Sequence, residues 1–266
     1  MAEVLVVTSG KGGVGKTTAT ANLGVSLALL GKKTLVVDSD IGLRNLDLVL
    51  GVENQVKHDW VEFLEGSTTL EQVCLMDRRF PGLHILPASQ WKGKESVSIK
   101  QMRKMMNILR PRYEFILIDS PAGIELGFRN AATVADGAIV VTTPEISALR
   151  DADRIIGLLE NFKMKPPRLI INRLRPDLVA RGDMMSSSDV MDLLAIELIG
   201  IIPEDDRVVV ASNRGEPAAL DPISRAGEAY RRIARRLTGE IVPIEDPVIE
   251  SIELGFWQSL LRMFRR

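Results

Sequence analysis

The segment between residues 10 and 18 constrains this chain more than any other part of it. Directly after the apolar run Val4–Val7, the chain reads Gly10, Lys11, Gly12, Gly13, Val14, Gly15, Lys16, Thr17 and Thr18. This fits the phosphate-loop pattern of a glycine, four residues and then Gly-Lys-Ser/Thr, in which glycines let backbone N–H groups turn onto phosphate oxygens. We expect Lys16 to reach the β- and γ-phosphates and the Thr17 hydroxyl to bind Mg²⁺. The following helix, predicted from Thr18 onward, adds positive potential at its N-terminus, so the segment predicts a nucleoside triphosphate site.

The same glycines also satisfy the dinucleotide-binding pattern Gly-x-Gly-x-x-Gly. Asp38 ends the next predicted strand about where a ribose-binding acid would lie. The dinucleotide pattern does not include Lys16 and Thr17, however, and a lysine beside the pyrophosphate has no obvious use there. We therefore favour the triphosphate interpretation.

Short apolar runs alternate with longer amphipathic stretches along the chain. The strand candidates are Val4–Thr8, Thr34–Asp38, Leu83–Leu86, Phe115–Asp119, Ala138–Thr142, Leu169–Asn172 and Leu198–Ile202. The helix candidates are Lys16–Leu30, Ile99–Leu109, Ser147–Asn161, Ser187–Ala195 and Ser224–Leu237. This alternation predicts an α/β fold with a doubly wound, mostly parallel sheet and helices on both faces. Such sheets bind ligands at the carboxyl ends of their strands, so we expect the phosphate loop, Asp38, Asp119 and Asn172 at one edge.

Composition excludes several classes of protein. The 34 basic and 35 acidic residues nearly cancel, so we expect no nucleic-acid partner on grounds of charge. The single cysteine, Cys74, excludes an intrachain disulfide framework and suits a reducing compartment. No apolar run approaches the roughly 20 residues that span a bilayer. The first predicted strand begins almost at Met1, so we expect no targeting peptide and a cytoplasmic protein.

Carboxylates end two of the predicted strands. Asp119 can hold the Mg²⁺ shell through water, as the second half of a phosphate-loop site, and the alternative is an aspartate that caps the next turn. Asp38 and Asp40 could orient or deprotonate a water beside the γ-phosphate, and the alternative is a helix cap. We count Thr17, Asp38 and Asp119 as the candidate metal-site residues.

The residues at the end of the predicted strand Leu169–Asn172 indicate which base the nucleotide carries. A guanine site of the GTPase kind uses Asn-Lys-x-Asp, whose acid pairs with the guanine edge. This chain has Asn172-Arg173-Leu174-Arg175, with an arginine where that acid would stand. We therefore predict adenine, and hence ATP with Mg²⁺ as the bound groups.

The end of the chain predicts a separate segment beyond an ATPase domain of residues 1–238. Residues 239–250 contain prolines and acids and predict a surface linker. Residues 251–266 predict a basic amphipathic helix, which indicates a membrane-surface anchor. Its expected membrane-contacting residues are Phe256, Trp257, Leu260, Leu261, Arg262, Phe264, Arg265 and Arg266. The alternative is a terminal helix docked on its own domain or on a partner.

A lysine just inside the phosphate loop, Lys11, marks the deviant Walker A branch of the P-loop ATPases. The string from Lys11 to Thr18 resembles that family, which includes nitrogenase iron proteins and ParA-type partition ATPases. An iron–sulfur cluster shared between two chains needs two cysteines in each, so the iron proteins are excluded. Further stretches resemble the septum-site-determining members of the ParA/MinD group, namely residues 38–47, 119–124, 149–154, 181–184 and 202–205.

The resemblance implies roles for particular residues. In that family ATP binding produces a sandwich homodimer, and the signature lysine, here Lys11, crosses to the phosphates of the partner subunit. Lys16, Thr17 and Asp119 match the phosphate and Mg²⁺ positions, and Asp38 and Asp40 match the switch carboxylates. The resemblance also assigns Asn172, Pro203, Glu204 and Asp205 to the adenine pocket, and Asp151 to partner contact.

The resemblance also implies partners and a location. The septum-site-determining members bind anionic membrane lipids as ATP dimers, recruit a MinC-like division inhibitor and respond to a MinE-like or other topological regulator. This implies a peripheral protein on the cytoplasmic face of the inner membrane. The alternative is a ParA-type DNA- or cargo-positioning ATPase, which would carry a basic surface and bind in a salt-sensitive way.

Overall fold

The computed structural model describes residues 1–249 of the chain. The predicted terminal helix of residues 251–266, with its expected membrane contacts from Phe256 to Arg266, lies outside the described residues. Within residues 1–249, no helix is both long and apolar enough to cross a membrane.

A single sheet of parallel strands with one antiparallel edge strand forms the centre of the fold. Its strands are β1 Glu3–Thr8, β2 Thr34–Asp38, β3 Leu75–Met76, β4 Leu83–Leu86, β5 Phe115–Asp119, β6 Gly137–Thr142, β7 Arg168–Leu174 and β8 Glu197–Pro203. They lie in the order β3-β4-β2-β5-β1-β6-β7-β8, and only β3 runs antiparallel to its neighbour. The predicted doubly wound, mostly parallel sheet is confirmed.

Helices cover both faces of the sheet. The main α-helices are α1 Lys16–Leu29, α2 Leu46–Leu50, α3 Trp60–Glu65, α4 Leu70–Val73, α5 Ile99–Leu109, α6 Leu126–Val134, α7 Ile146–Leu159, α8 Pro176–Arg181, α9 Ser187–Leu194, α10 Asp206–Asn213 and α11 Arg225–Leu237. Each strand and helix predicted within residues 1–249 is present, and its ends differ from the prediction by no more than two residues. The sequence did not predict six of these helices, namely α2, α3, α4, α6, α8 and α10, or the edge strand β3, because they depend on tertiary contacts that periodicity does not reveal.

Side chains that alternate along each strand build a hydrophobic layer on either face. Val4 and Val6 of β1 pack into the layer formed with α5, α6, α7 and α9. Leu5 and Val7 pack into the opposite layer, formed with α1, α2 and α11. Because both faces are buried, the strands read as continuous apolar runs, as is typical of parallel sheets.

Hydrogen bonds hold the segment that follows α11 beside β8 and α9. The Arg236 guanidinium donates to the carbonyl oxygens of Ile199 on β8 and of Val242, both at 2.8 Å. Farther along, the Ser187 hydroxyl at the start of α9 donates to the Asp246 carboxylate. The predicted linker thus runs as an irregular segment beside the sheet over residues 240–246, and residues 247–249 are helical.

Candidate nucleotide-binding site

The phosphate loop joins β1 to α1 at the carboxyl edge of the sheet. Gly15 precedes α1 with a φ of 93°, a left-handed conformation that favours glycine. At Gly10 the limit is space, because an added Cβ would lie 2.2 Å from the carbonyl carbon and oxygen of Asp151 on α7. An added Cβ at Gly12 would have no neighbour within 4 Å. The loop is therefore pressed against α7 at its beginning and open in its middle.

Behind the loop, Asp119 at the end of β5 is the centre of the site's polar contacts. The Lys16 ammonium nitrogen lies 3.7 Å from Asp119 Oδ1, and the Thr20 hydroxyl donates to the same oxygen at 3.4 Å. The Thr17 hydroxyl lies on the same side of the site and lowers the pKa of this carboxylate. Asp119 is only 1% exposed, and burial raises its pKa despite the opposing effect of Lys16.

These residues fit a magnesium ion bound together with a nucleotide. Thr17 and Asp119 supply the oxygen donors that Mg²⁺ prefers, and the buried carboxylate would gain from a nearby divalent cation. Within residues 1–249, no group of three or more histidine, cysteine or acidic side chains could hold a metal by itself. Mg²⁺ of nucleotide sites is held by one or two protein ligands with phosphates and water, which matches this sparse set.

Asp38 is the register partner of Asp119 on the adjacent strand, but its side chain is engaged in a different way. Its Oδ2 accepts hydrogen bonds from the backbone N–H groups of Asn45 at 3.0 Å and Leu46 at 3.1 Å. Its Oδ1 accepts one from the Asp40 N–H at 2.9 Å. The carboxylate therefore caps the start of α2, which was the alternative to the predicted role in orienting a water. The metal role of Asp38 stays a prediction.

Burial raises the pKa of Asp38 to about 7, and the charge of Asp119 adds to the shift. Asp40 follows in a loop that contains two left-handed residues, Gly42 at φ 98° and Arg44 at φ 48°. The Asp40 carbonyl accepts from the N–H of Leu43 at 3.1 Å, so this loop is a tight turn that the Asp38 cap holds closed. The proposed catalytic role of Asp40 stays a prediction.

The residues expected at the base line one pocket beside the phosphate loop. Asn172 at the end of β7 and the turn Pro203-Glu204-Asp205 after β8 converge there with Gly15 and Thr18. The Asn172 Nδ2 donates to the Val14 carbonyl at 2.8 Å, and so ties the pocket to the loop. The Asp205 carboxylate instead caps α10 and accepts from the Ser224 hydroxyl at 2.7 Å, which gives it a structural task in the pocket wall.

The side chain of the signature lysine, Lys11, contacts residues of its own chain at the start of α7. Lys11 Nζ is 3.3 Å from Glu145 Oε2 and 3.1 Å from the Ser147 hydroxyl. The Lys11 side chain is 43% exposed, so the contact is open to solvent. Reaching a second subunit would require Lys11 to leave Glu145.

Sequence reasoning missed several residues of the site. Thr20 lies one helical turn after Lys16, and that spacing could have revealed it. Glu145 and Ser147 meet Lys11 only through the fold, from more than 130 positions away. Tyr230 of α11 is 1% exposed and lines the base pocket, although its sequence context predicts only a core residue.

The doubly wound sheet, the phosphate loop and the buried Asp119 behind it define a P-loop nucleotide-binding protein. The chain belongs to the family described as the CobQ/CobB/MinD/ParA nucleotide binding domain, which matches residues 5–218. The predicted resemblance to the ParA/MinD group is thereby confirmed.

Individual relatives are similar over nearly the whole chain. The septum site-determining protein MinD of Bacillus subtilis is 50% identical over 266 residues, which cover 99% of this chain and 98% of that protein. The chain also resembles a chain in the structure of the MinC:MinD cell division protein complex of Aquifex aeolicus, with a TM-score of 0.86, 47% identity, and coverage of 92% of this chain and 98% of that chain. A third similar structure is MinD of Pyrococcus horikoshii complexed with Mg-ADP, with a TM-score of 0.81, 33% identity, and coverage of 89% and 96%.

Proposed function

We infer that this protein is a Mg²⁺-dependent ATPase that dimerises on ATP, attaches to the inner membrane and positions the division site. The observation that carries this inference is the arrangement of Lys16 and Thr17 against the buried Asp119. The 50% identity with a septum site-determining protein supports the cellular role. The complex of the Pyrococcus relative with Mg-ADP supports the choice of nucleotide and metal.

The chain's own residues divide the chemistry among them. Backbone N–H groups of the loop from Gly12 to Lys16 bind the phosphates, and Lys16 neutralises charge between the β- and γ-phosphates. Thr17 and Asp119 hold Mg²⁺, which when bound stabilises the negative charge that develops on the phosphate oxygens. Asp40 orients the attacking water beside the γ-phosphate.

Dimerisation is proposed to complete the site. The Lys11 side chain is partly exposed at the carboxyl edge of the sheet, where it contacts Glu145 and Ser147. A solvent-exposed ion pair of this kind stabilises by about 0–1 kcal/mol, so exchange for a second chain's phosphates is energetically accessible. Hydrolysis removes the γ-phosphate that holds Lys11 across the interface, and the subunits separate.

Membrane attachment and partners complete the proposal. The segment of residues 251–266, which the sequence predicts to be an amphipathic helix, is proposed to bind anionic lipids, and two copies in a dimer would bind far more tightly than one through effective concentration. A MinC-like inhibitor is a proposed partner, since the Aquifex relative forms a complex with MinC. A MinE-like or other topological regulator is proposed to control hydrolysis at the cytoplasmic face of the membrane.

Vesicle sedimentation tests the proposal as a whole. We expect the full chain to pellet with vesicles containing anionic lipid in ATP and Mg²⁺, and to stay in the supernatant in ADP. A chain cut after Leu254 should stay in the supernatant in both. Lys16→Ala, which removes phosphate binding, serves as the nucleotide control and should not pellet with ATP. Equal pelleting of all samples would contradict the proposed switch.

A further inference from the structure

The backbone at Arg173 adopts a conformation that its residue type disfavours. Arg173 has a φ of 57°, in the left-handed region where glycine and asparagine are the usual occupants. The residue lies in β7, where Ile171 pairs with Ile201 and the next pair joins Leu174 to Pro203. Two residues of β7 therefore face one of β8, which is a β-bulge. Bulges beside binding sites commonly re-aim a side chain, and a disfavoured residue type in one suggests that its side chain is used.

At the bulge, the consecutive side chains of Asn172 and Arg173 make different contacts. Asn172 turns inward and its Nδ2 binds the Val14 carbonyl at 2.8 Å. Arg173 lines the neighbouring base pocket, together with Pro203 and Tyr230. Arg173 is the only cationic side chain among the residues that line this pocket within the described part of the chain.

The Arg173 guanidinium is available to a ligand. Among residues 1–249 it forms no hydrogen bond or ion pair with another side chain, and Arg173 is exposed. The next arginine is engaged in a different way, because Arg175 Nη2 lies 2.8 Å from the Asp177 carboxylate. Burial raises the pKa of the Tyr230 hydroxyl, and the charge of Arg173, which lines the same pocket, opposes that shift.

We propose that Arg173 is a base-binding residue, which lays its guanidinium plane against the adenine ring of the nucleotide. This rests on the proposed ATP-binding function and adds a specific contact to it. A guanidinium is planar and weakly hydrated, and it stacks on aromatic rings in a way that an ammonium group does not. The left-handed backbone holds Arg173 over the pocket while the adjacent Asn172 fixes the loop below it.

Substitution of Arg173 by glycine removes the side chain and keeps the backbone conformation, so it distinguishes the effects of the two. Arg173→Gly keeps the left-handed conformation without strain, so the fold should be at least as stable as the wild type in urea unfolding. We expect its ADP dissociation constant to rise about fivefold or more in titration calorimetry with Mg²⁺. Affinity for inorganic tripolyphosphate, which has no base, should stay unchanged. Arg173→Lys, which keeps the positive charge but lacks the planar guanidinium, should also raise the ADP dissociation constant.

Two matched controls isolate the effect. Ala195→Gly relieves another left-handed residue, at φ 49°, away from the pocket and should bind ADP as the wild type does. Arg175→Ala removes the neighbouring arginine, which does not line the base pocket, and should also leave ADP affinity unchanged.

The remaining outcomes would each overturn the inference. Wild-type ADP affinity in Arg173→Gly would mean that the side chain does not contact the nucleotide. Equal weakening of ADP and tripolyphosphate would mean that Arg173 acts on phosphate. If the wild-type chain itself bound no ADP, the proposed function would fail, and that result is distinct from either of these.

Discussion

Gly10→Ala is predicted to damage the phosphate loop by steric conflict with α7. An added Cβ at Gly10 would lie 2.2 Å from the Asp151 carbonyl carbon and oxygen and 2.5 Å from its Cβ. Two of these obstacles are backbone atoms of a helix, so a change of side-chain rotamer does not relieve the clash. Either the loop or the first turns of α7 must shift.

The magnitude follows from the usual effect of overpacking. Forcing extra carbon into a packed site lowers the free energy of unfolding by about 1–3 kcal/mol. Alanine also restricts the unfolded chain and so offsets this by about 0.4–1 kcal/mol. The net expectation for Gly10→Ala is a loss of roughly 1–2 kcal/mol. Because the displaced segment carries the phosphate-binding backbone, ADP affinity should fall as well.

Gly12→Ala is the matched control in the same loop. Its added Cβ would meet nothing within 4 Å, and Gly12 has no positive φ. The free energy of unfolding of the nucleotide-free protein should therefore stay within about 0.5 kcal/mol of the wild type, or rise. Urea unfolding of the three proteins measures the comparison. Equal stability of Gly10→Ala and Gly12→Ala would refute the reasoning that the loop is pressed against α7.

Three further predictions address the carboxylate, the base pocket and the signature lysine. Burial raises the pKa of Asp38 from 3.8 to about 7. Between these two values the folded protein keeps a proton that the unfolded chain releases. The contribution of this proton to the free energy of unfolding is therefore complete below about pH 4 and is lost as the pH rises through about 7. Asp38→Asn should flatten that part of the stability–pH profile of the nucleotide-free protein, and an unchanged slope in urea unfolding would remove Asp38 as its source. Asn172→Ala removes the hydrogen bond to the Val14 carbonyl and should lower the free energy of unfolding by about 1 kcal/mol, measured in urea; no loss would mean that this bond does not hold the loop. Lys11→Ala should lower ATP turnover without abolishing ADP binding, and unchanged turnover in a phosphate-release assay would exclude Lys11 from the mechanism.

The ends of the parallel strands were predictable because they follow from local patterns. Apolar runs that end in Asp38, Asp119 and Asn172 predict buried strands, and parallel strands bring their carboxyl ends to one edge. The phosphate loop was predictable because its chemistry requires adjacent residues. The sequence therefore sufficed for the sheet and for the side of it that binds the nucleotide.

Contacts that arise only through the fold were not predictable. Lys11 meets Glu145 across more than 130 positions, and nothing in either local sequence indicates the pair. Arg173 adopts a left-handed conformation at a position where no glycine signals it, because the bulge depends on the register of β7 against β8. Helix α10 has no buried residue, so its sequence carries no apolar face that periodicity could identify.

The Asp38 carboxylate illustrates a role that sequence leaves open. A carboxylate at the end of a strand fits both a metal site and a helix cap, and sequence spacing does not distinguish them. The structure supplies three backbone N–H donors to this side chain, and so assigns it the cap.

The central claim is that the bound nucleotide controls the association of two chains. Sedimentation velocity of the full chain with Mg²⁺ and a non-hydrolysable ATP analogue, compared with Mg²⁺ and ADP, tests it most directly. The predicted result is twice the mass of one chain with the analogue and the mass of one chain with ADP. The same mass in both nucleotides would contradict the claim.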